Sequence, residues 1–281
     1  MQQKLTLAYS PCPNDTFLFF HLIHELQSDF LKFIEELHDV EELNKSAEIA
    51  KYDITKLSFA KYFQVMDKYI LLNTGSALGQ NCGPILIKKK DSSTLDPVGQ
   101  SILVPGLNTT ANLLLSLYLK NNFTPIPIRY DKIIPQMEQE NYSLGVIIHE
   151  ERFTFEKRGF EKLIDLGEWW EKETNCPIPL GAIAIKRSIS KNIQNQVDKA
   201  LRNSLEFAWK YPSKTKEYIL KHSQSISEEV VNEHINLYVN QFTKNLGEKG
   251  RGAVQTLYRK AIESGVAKEN KSLQLFLDQE I

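Results

Sequence analysis

Over its first two-thirds the chain alternates short apolar runs with stretches whose apolar residues fall three and four apart. Leu5-Thr6-Leu7-Ala8-Tyr9 reads as a first strand, and residues 16–24 as a helix capped by Asp15. Residues 30–37 fit a helix through Phe30, Phe33, Ile34 and Leu37, or a short buried strand. Residues 39–52 then read as helix, and 54–58, 69–72 and 84–87 as strands. The polar run 88–93, ahead of Pro97 and Gly99, reads as a crossing between lobes, a solvated linker rather than a phosphate-binding patch. Strands follow at 101–104, 126–130, 144–148, 163–166 and 182–185, with helices at 110–120 and 132–139 and Gly181 as a hinge. From Lys191 the pattern is helical only: 193–211 before Pro212, a helix to 240 opened by a capping box of Ser225 and Glu228, and 247–264 before Gly265.

This order predicts an α/β protein of two lobes with a ligand cleft between them. Each lobe should be built on a mostly parallel sheet covered by helices. Residues 1–88 would form the first part of lobe 1, residues 89–184 an inserted lobe 2, and residues 185–281 a helical return packing on lobe 1. No internal repeat or low-complexity tract is present.

Composition narrows the partners. Lys plus Arg (34) nearly cancel Asp plus Glu (35), leaving a net charge of -1 and no broad basic surface, so neither nucleic acid nor a membrane is expected as a partner. A homo-oligomer is compatible with the sequence. Cys12, Cys82 and Cys176 form no CxxC pair, as expected of a reduced protein. With no visible signal peptide or membrane-spanning run, a cytoplasmic protein is expected.

Four segments stand at strand ends, where open α/β sheets bind ligands. The Pro-stiffened turn Ser10-Pro11-Cys12-Pro13-Asn14-Asp15 offers Ser10, Cys12, Asn14 and Asp15 as a pocket wall, although capping alone would account for Asn14 or Asp15. Thr55-Lys56-Leu57-Ser58 ends a strand on a hydroxyl. Gly106-Leu107-Asn108-Thr109-Thr110 opens a helix with two hydroxyls and a glycine that lets a ligand approach, an arrangement suited to an anion. Either segment alone is plain N-capping; together, in different lobes, they point to a carboxylate held from two sides. His149 ends the apolar strand at 144–148; a lone histidine is usually structural, but this position suits a base. His21 and His24 share a helix face without a third metal ligand, and His38, His222 and His234 read as peripheral. Trp169-Trp170 reads as apolar mass near the hinge and the cysteines as packing. No Walker A loop, GxGxxG or GxSxG occurs.

The runs SPCPNDTF (10–17), TKLSFAKY (55–62), SALGQNCGP (76–84), GVIIHEERFTF (145–155), LGEWWEKET (166–174) and PLGAIAIKR (179–187) resemble the 1,4-dihydroxy-6-naphthoate synthases of the futalosine route to menaquinone. The similarity runs over nearly the whole chain. It implies the two-lobed type II periplasmic-binding-protein-like fold. It also implies a carboxylated, nucleoside-derived substrate, cyclic dehypoxanthine futalosine, cleaved at a carbon–carbon bond without metal or organic cofactor. On the same resemblance His149 is the proton acceptor, and Lys56, Leu57, Ser58, Thr109 and Thr110 contact substrate. Two competing readings are a non-catalytic two-lobed binding or sensor protein for a small organic acid, and the related chorismate-processing enzyme of the same route.

Overall fold

The computed structural model describes residues 3–26, 30–90, 96–139, 142–223 and 227–278. In chain order the first elements are β1 (Gln3–Tyr9), α1 (Pro13–His24), β2 (Leu31–Leu37), α2 (Val40–Glu48), β3 (Ile54–Ser58), α3 (Phe59–Tyr62), β4 (Tyr69–Leu71) and β5 (Ala77–Gly79). The middle of the chain supplies β6 (Ile85–Lys89), β7 (Ser101–Val104), α4 (Thr110–Tyr118), β8 (Thr124–Pro127), α5 (Ile133–Glu138), β9 (Leu144–Ile147), β10 (Phe160–Asp165) and α6 (Leu166–Thr174). Last come β11 (Ile178–Lys186), α7 (Lys191–Lys210), α8 (Pro212–His222), α9 (Glu228–Tyr238), α10 (Gln241–Lys244) and α11 (Gly247–Glu263).

Two sheets organise these elements into two lobes. The first has the order β2-β1-β3-β11-β4, with β5 also paired to β11; the second runs β10-β6-β9-β7-β8. Each is mixed rather than mostly parallel. β11 is antiparallel to β3, β4 and β5, and β6 is antiparallel to β9 and β10. The ambiguous segment at 30–37 is a strand, paired in parallel with β1 from Gln3 opposite Leu31 to Tyr9 opposite Leu37. β8 is an edge strand, which tolerates Pro125 and Pro127 because no further strand needs their missing N–H groups.

Strand membership corrects two expected boundaries. β6 belongs to the second sheet, so the first crossing precedes Ile85 instead of following residue 88. The lysines at 88–90 are not all linker: Lys88 is a buried strand residue whose Nζ lies 2.6 Å from Glu161, its cross-strand neighbour on β10. Residues 91–93 of that run lie outside the described residues. β11 belongs to the first sheet, so the return crossing precedes Ile178 rather than following residue 184. Gly181 is therefore not a hinge; it sits inside β11 opposite Ser58, and a Cβ there would come within 2.8 Å of the Leu57 carbonyl.

α7, α8 and α9 pack against α1. Ser204 of α7 fixes part of that contact, donating to the Leu18 carbonyl at 2.6 Å and accepting from the Leu22 N–H at 3.0 Å. Ser225, half of the expected capping box, lies outside the described residues. Among the described residues no helix is long and apolar enough to cross a membrane.

Candidate functional site

The loops after β1, β3, β7 and β9 converge on one cavity between the two sheets. It has a volume of about 90 Å³ and is lined by Ser10, Asn14, Asp15, Lys56, Leu57, Ser58, Thr109, Thr110 and His149, among others. Eight of the nine candidates named from the wall, the KLS segment and the threonines thus line it with His149. Cys12 does not line it but touches His149 from behind. Helix α1 begins one turn earlier than its expected cap: Pro13 supplies the fixed φ of the first helical position and Cys12 is the N-cap. That corrects Asp15, which lies inside the first turn, 1% exposed, with its carboxylate turned toward the site.

Asp15 collects the polar groups of the first lobe. Its carboxylate accepts from Lys56 Nζ at 2.7 Å, Ser10 Oγ at 2.7 Å and Asn14 Nδ2 at 2.8 Å. The pair of Lys56 and Asp15 is buried and neutral as a unit. Ser58 Oγ accepts from Asn44 Nδ2 at 3.0 Å, which leaves its hydroxyl proton to donate into the cleft. The paired threonines use their side chains structurally. Thr109 caps α4, accepting from Asn112 N–H at 3.2 Å, and Thr110 Oγ1 donates to the Leu180 carbonyl at 2.7 Å. What α4 presents to the cavity is therefore the positive end of its first turn at Thr110 and Ala111.

The two lobes also touch directly. Asn44 Nδ2 reaches the Asn108 carbonyl at 3.3 Å, and Glu41 accepts from Asn108 Nδ2 at 2.8 Å and from Asn108 N–H. Gly106 makes that approach possible: with φ +142°, it has the Glu41 carboxylate 2.5 Å from where a Cβ would stand.

His149 follows β9 in a left-handed conformation, φ +57°, unusual for a residue with a side chain. The ring is half-buried, with Tyr130 edge-on at 4.8 Å and His234 stacked at 6.0 Å. Its Nδ1 lies 3.4 Å from Cys12 Sγ, and its Nε2, shielded from water, has no protein hydrogen-bond partner. Burial pushes the imidazole pKa down to about 4, and the Lys56 cation acts in the same direction against the opposing pull of Asp15. Near neutral pH the ring is uncharged and has a lone pair to offer.

His234 is not peripheral, as its sequence position suggests, but part of the site. It is 0% exposed on α9, lines the cavity, and donates through Nε2 to Asn14 Oδ1 at 2.9 Å. Burial and the neighbouring His149 hold its pKa well below the ordinary value. A sequence signal existed: Val231, His234 and Tyr238 form the buried stripe of an amphipathic helix, and a histidine on such a stripe needs a polar partner. Cys82 and Tyr238 also line the cavity. Trp170, by contrast, is wholly buried beneath the second lobe, its Nε1 donating to the Pro177 carbonyl.

One group of possible metal ligands occurs among the described residues: Cys12, His149 and Glu150 offer donor atoms within 4.8 Å of one another. Burial and the Glu150 carboxylate push the Cys12 thiol pKa well up, which favours a protonated thiol over a thiolate ligand. We assign no metal to this group.

The sequence matches the family described as menaquinone biosynthesis over residues 5–263. It is 40% identical to the 1,4-dihydroxy-6-naphthoate synthase of Thermus thermophilus over 265 residues, covering 94% of this chain and 96% of that one. It is 36% identical to the enzyme of the same name from Streptomyces coelicolor, covering 93% and 94%. Among solved structures, protein AF1704 from Archaeoglobus fulgidus superposes with a TM-score of 0.89 at 33% identity, covering 94% of this chain and 98% of that one. The alkanesulfonate-binding protein SsuA from Xanthomonas axonopodis, bound to MOPS, gives 0.73 at 12% identity and covers 96% of each chain, a likeness of fold alone.

Proposed function

The chain belongs to the menaquinone-biosynthesis family, and from that premise we propose that it is a carbon–carbon lyase converting cyclic dehypoxanthine futalosine to 1,4-dihydroxy-6-naphthoate. The observation that carries the reading is His149: an uncharged imidazole whose Nε2 has no protein partner, in the cleft where the two lobes meet.

In this reading the substrate carboxylate lies against the first-turn amides of α4 at Thr110 and Ala111, opposite the hydroxyl of Ser58. Leu57 supplies apolar wall, while Lys56 is held by Asp15 and balances charge near the base. Nε2 takes a proton from carbon beside a carbonyl; the electron pair left behind becomes a double bond as the neighbouring carbon–carbon bond breaks, the pair of that bond passes to the sugar-derived fragment, where a carbonyl holds it as an enolate, and the imidazolium returns the proton there. The sugar-derived fragment departs and the ring system becomes aromatic, which supplies driving force. One positioned base and a water-poor cleft are then enough. We also propose that the protein works in the cytoplasm.

Incubating purified protein with cyclic dehypoxanthine futalosine and following product by mass spectrometry tests the proposal. Binding without turnover would favour a sensor or solute-binding role, and turnover of chorismate alone would favour the sister enzyme.

A further inference from the structure

Cys12 lies between Pro11 and Pro13 at the end of a turn that its own helix holds rigid. The residue is 2% exposed, and its sulfur lies 3.4 Å from Nδ1 of His149, a residue of the opposite lobe. A neutral imidazole has one N–H and one lone pair, and the partner at one nitrogen decides what the other presents. Were the proton on Nε2, it would be a buried donor with no protein acceptor, an arrangement proteins rarely keep, whereas an unpartnered lone pair is better tolerated. The proton therefore belongs on Nδ1, directed at the sulfur.

We propose that Cys12 is a positioning residue whose sulfur accepts the Nδ1–H of His149 across the cleft, so that Nε2 becomes a bare base only when the lobes are closed. The proposal rests on the assignment of His149 as the base. It makes closure more than exclusion of water, because the first lobe carries the atom that selects the tautomer of a base carried by the second.

Nitrogen-15 NMR of histidine-labelled protein reads the tautomer without reference to activity. The ligand-bound native protein should show the His149 proton on Nδ1; finding it on Nε2 would overturn the proposal outright. Cys12→Ala should bring the other tautomer into view and lower kcat by roughly tenfold or more at little change in KM, because a base in the wrong tautomer cannot accept the proton. Cys12→Ser, which keeps an acceptor in place, should recover part of that loss. A Cys12→Ala protein with native kcat and native tautomer, beside an inactive His149→Asn protein, would overturn the role of Cys12 and leave the base standing. An active His149→Asn protein would instead remove the base assignment itself.

Discussion

Asn108 of the second lobe donates both its side-chain amide and its backbone N–H to the carboxylate of Glu41 in the first, with Nδ2 2.8 Å from Oε1. This contact bridges the lobes beside a cavity of about 90 Å³, small against the roughly 300–1,000 Å³ of ordinary ligand pockets, and the proposed bicyclic substrate is expected to need the lobes to part. Hydrogen bonds to a charged group contribute about 1.5–3 kcal/mol. Glu41→Ala should therefore raise KM by about 10- to 150-fold with a smaller change in kcat. Small-angle scattering should show the native protein compacting on ligand binding and the variant compacting less at the same ligand concentration. Identical profiles for free and saturated native protein would argue for a rigid pocket.

His149→Asn tests the base. Asparagine is among the residues that accept φ near +57°, so the backbone should survive the change. A positioned general base is worth about 10²–10⁴ in rate, and turnover should fall by at least that order while substrate affinity changes far less. Near-native turnover in a folded variant would refute the assignment.

The buried pair of Lys56 and Asp15 makes a stability prediction separate from catalysis. Removing one partner leaves an uncompensated buried charge, so Lys56→Met or Asp15→Asn should each cost about 3–5 kcal/mol. The double variant should be more stable than the two single losses added together. Urea denaturation of the four proteins measures the coupling, and strict additivity would mean that the ion pair is not a unit.

Acid should draw folding stability from the protein through two buried histidines. The His149 pKa falls from an ordinary 6.5 to about 4 on folding, and that of His234 is lowered as well. Below pH 6.5 the unfolded chain binds protons that the folded chain refuses, so the two histidines take stability away as pH drops from about 6.5 towards 4. Burial raises the Glu151 carboxyl to about 8, which acts with the opposite sign in this window, so the test is a difference: between pH 7 and pH 5 the denaturation midpoint of the native protein should fall relative to that of His149→Asn. Parallel slopes would contradict the lowered value.

Activity is expected to need no metal or cofactor. Turnover should survive exhaustive chelation and dialysis; recovery only after a metal is added back would point to Cys12, His149 and Glu150 as its ligands.

Much of this was legible in the sequence because strands and caps are local. The alternation at Leu5 to Tyr9, the cap at Thr109 and the apolar run before His149 each carry their own signal. Sheet membership is not local. Ala182-Ile183-Ala184-Ile185 reads the same whichever sheet it enters, and only its pairing with β3 and β4 assigns it to the first lobe. Asp15 shows the same limit from the other side. Its type and position fit a cap, but Pro13 starts the helix earlier and Lys56, 41 residues away, claims the carboxylate. His234 entered the site from a helix far along the chain, which no spacing near the other site residues could reveal.

The place of β11 in the first sheet bears on how the chain assembles during synthesis. All five strands of the second sheet lie between Ile85 and Asp165, so that sheet has every partner it needs before β11 leaves the ribosome. β4 and β5, though made earlier, have β11 as their sheet partner and must wait for Ile178–Lys186. Domains usually fold in the order they are made. Here the order is inverted: the insertion can complete itself first, and the N-terminal lobe closes around a strand delivered late, which brings Leu180 and Gly181 to the cleft, ahead only of His234 and Tyr238 in the pocket wall.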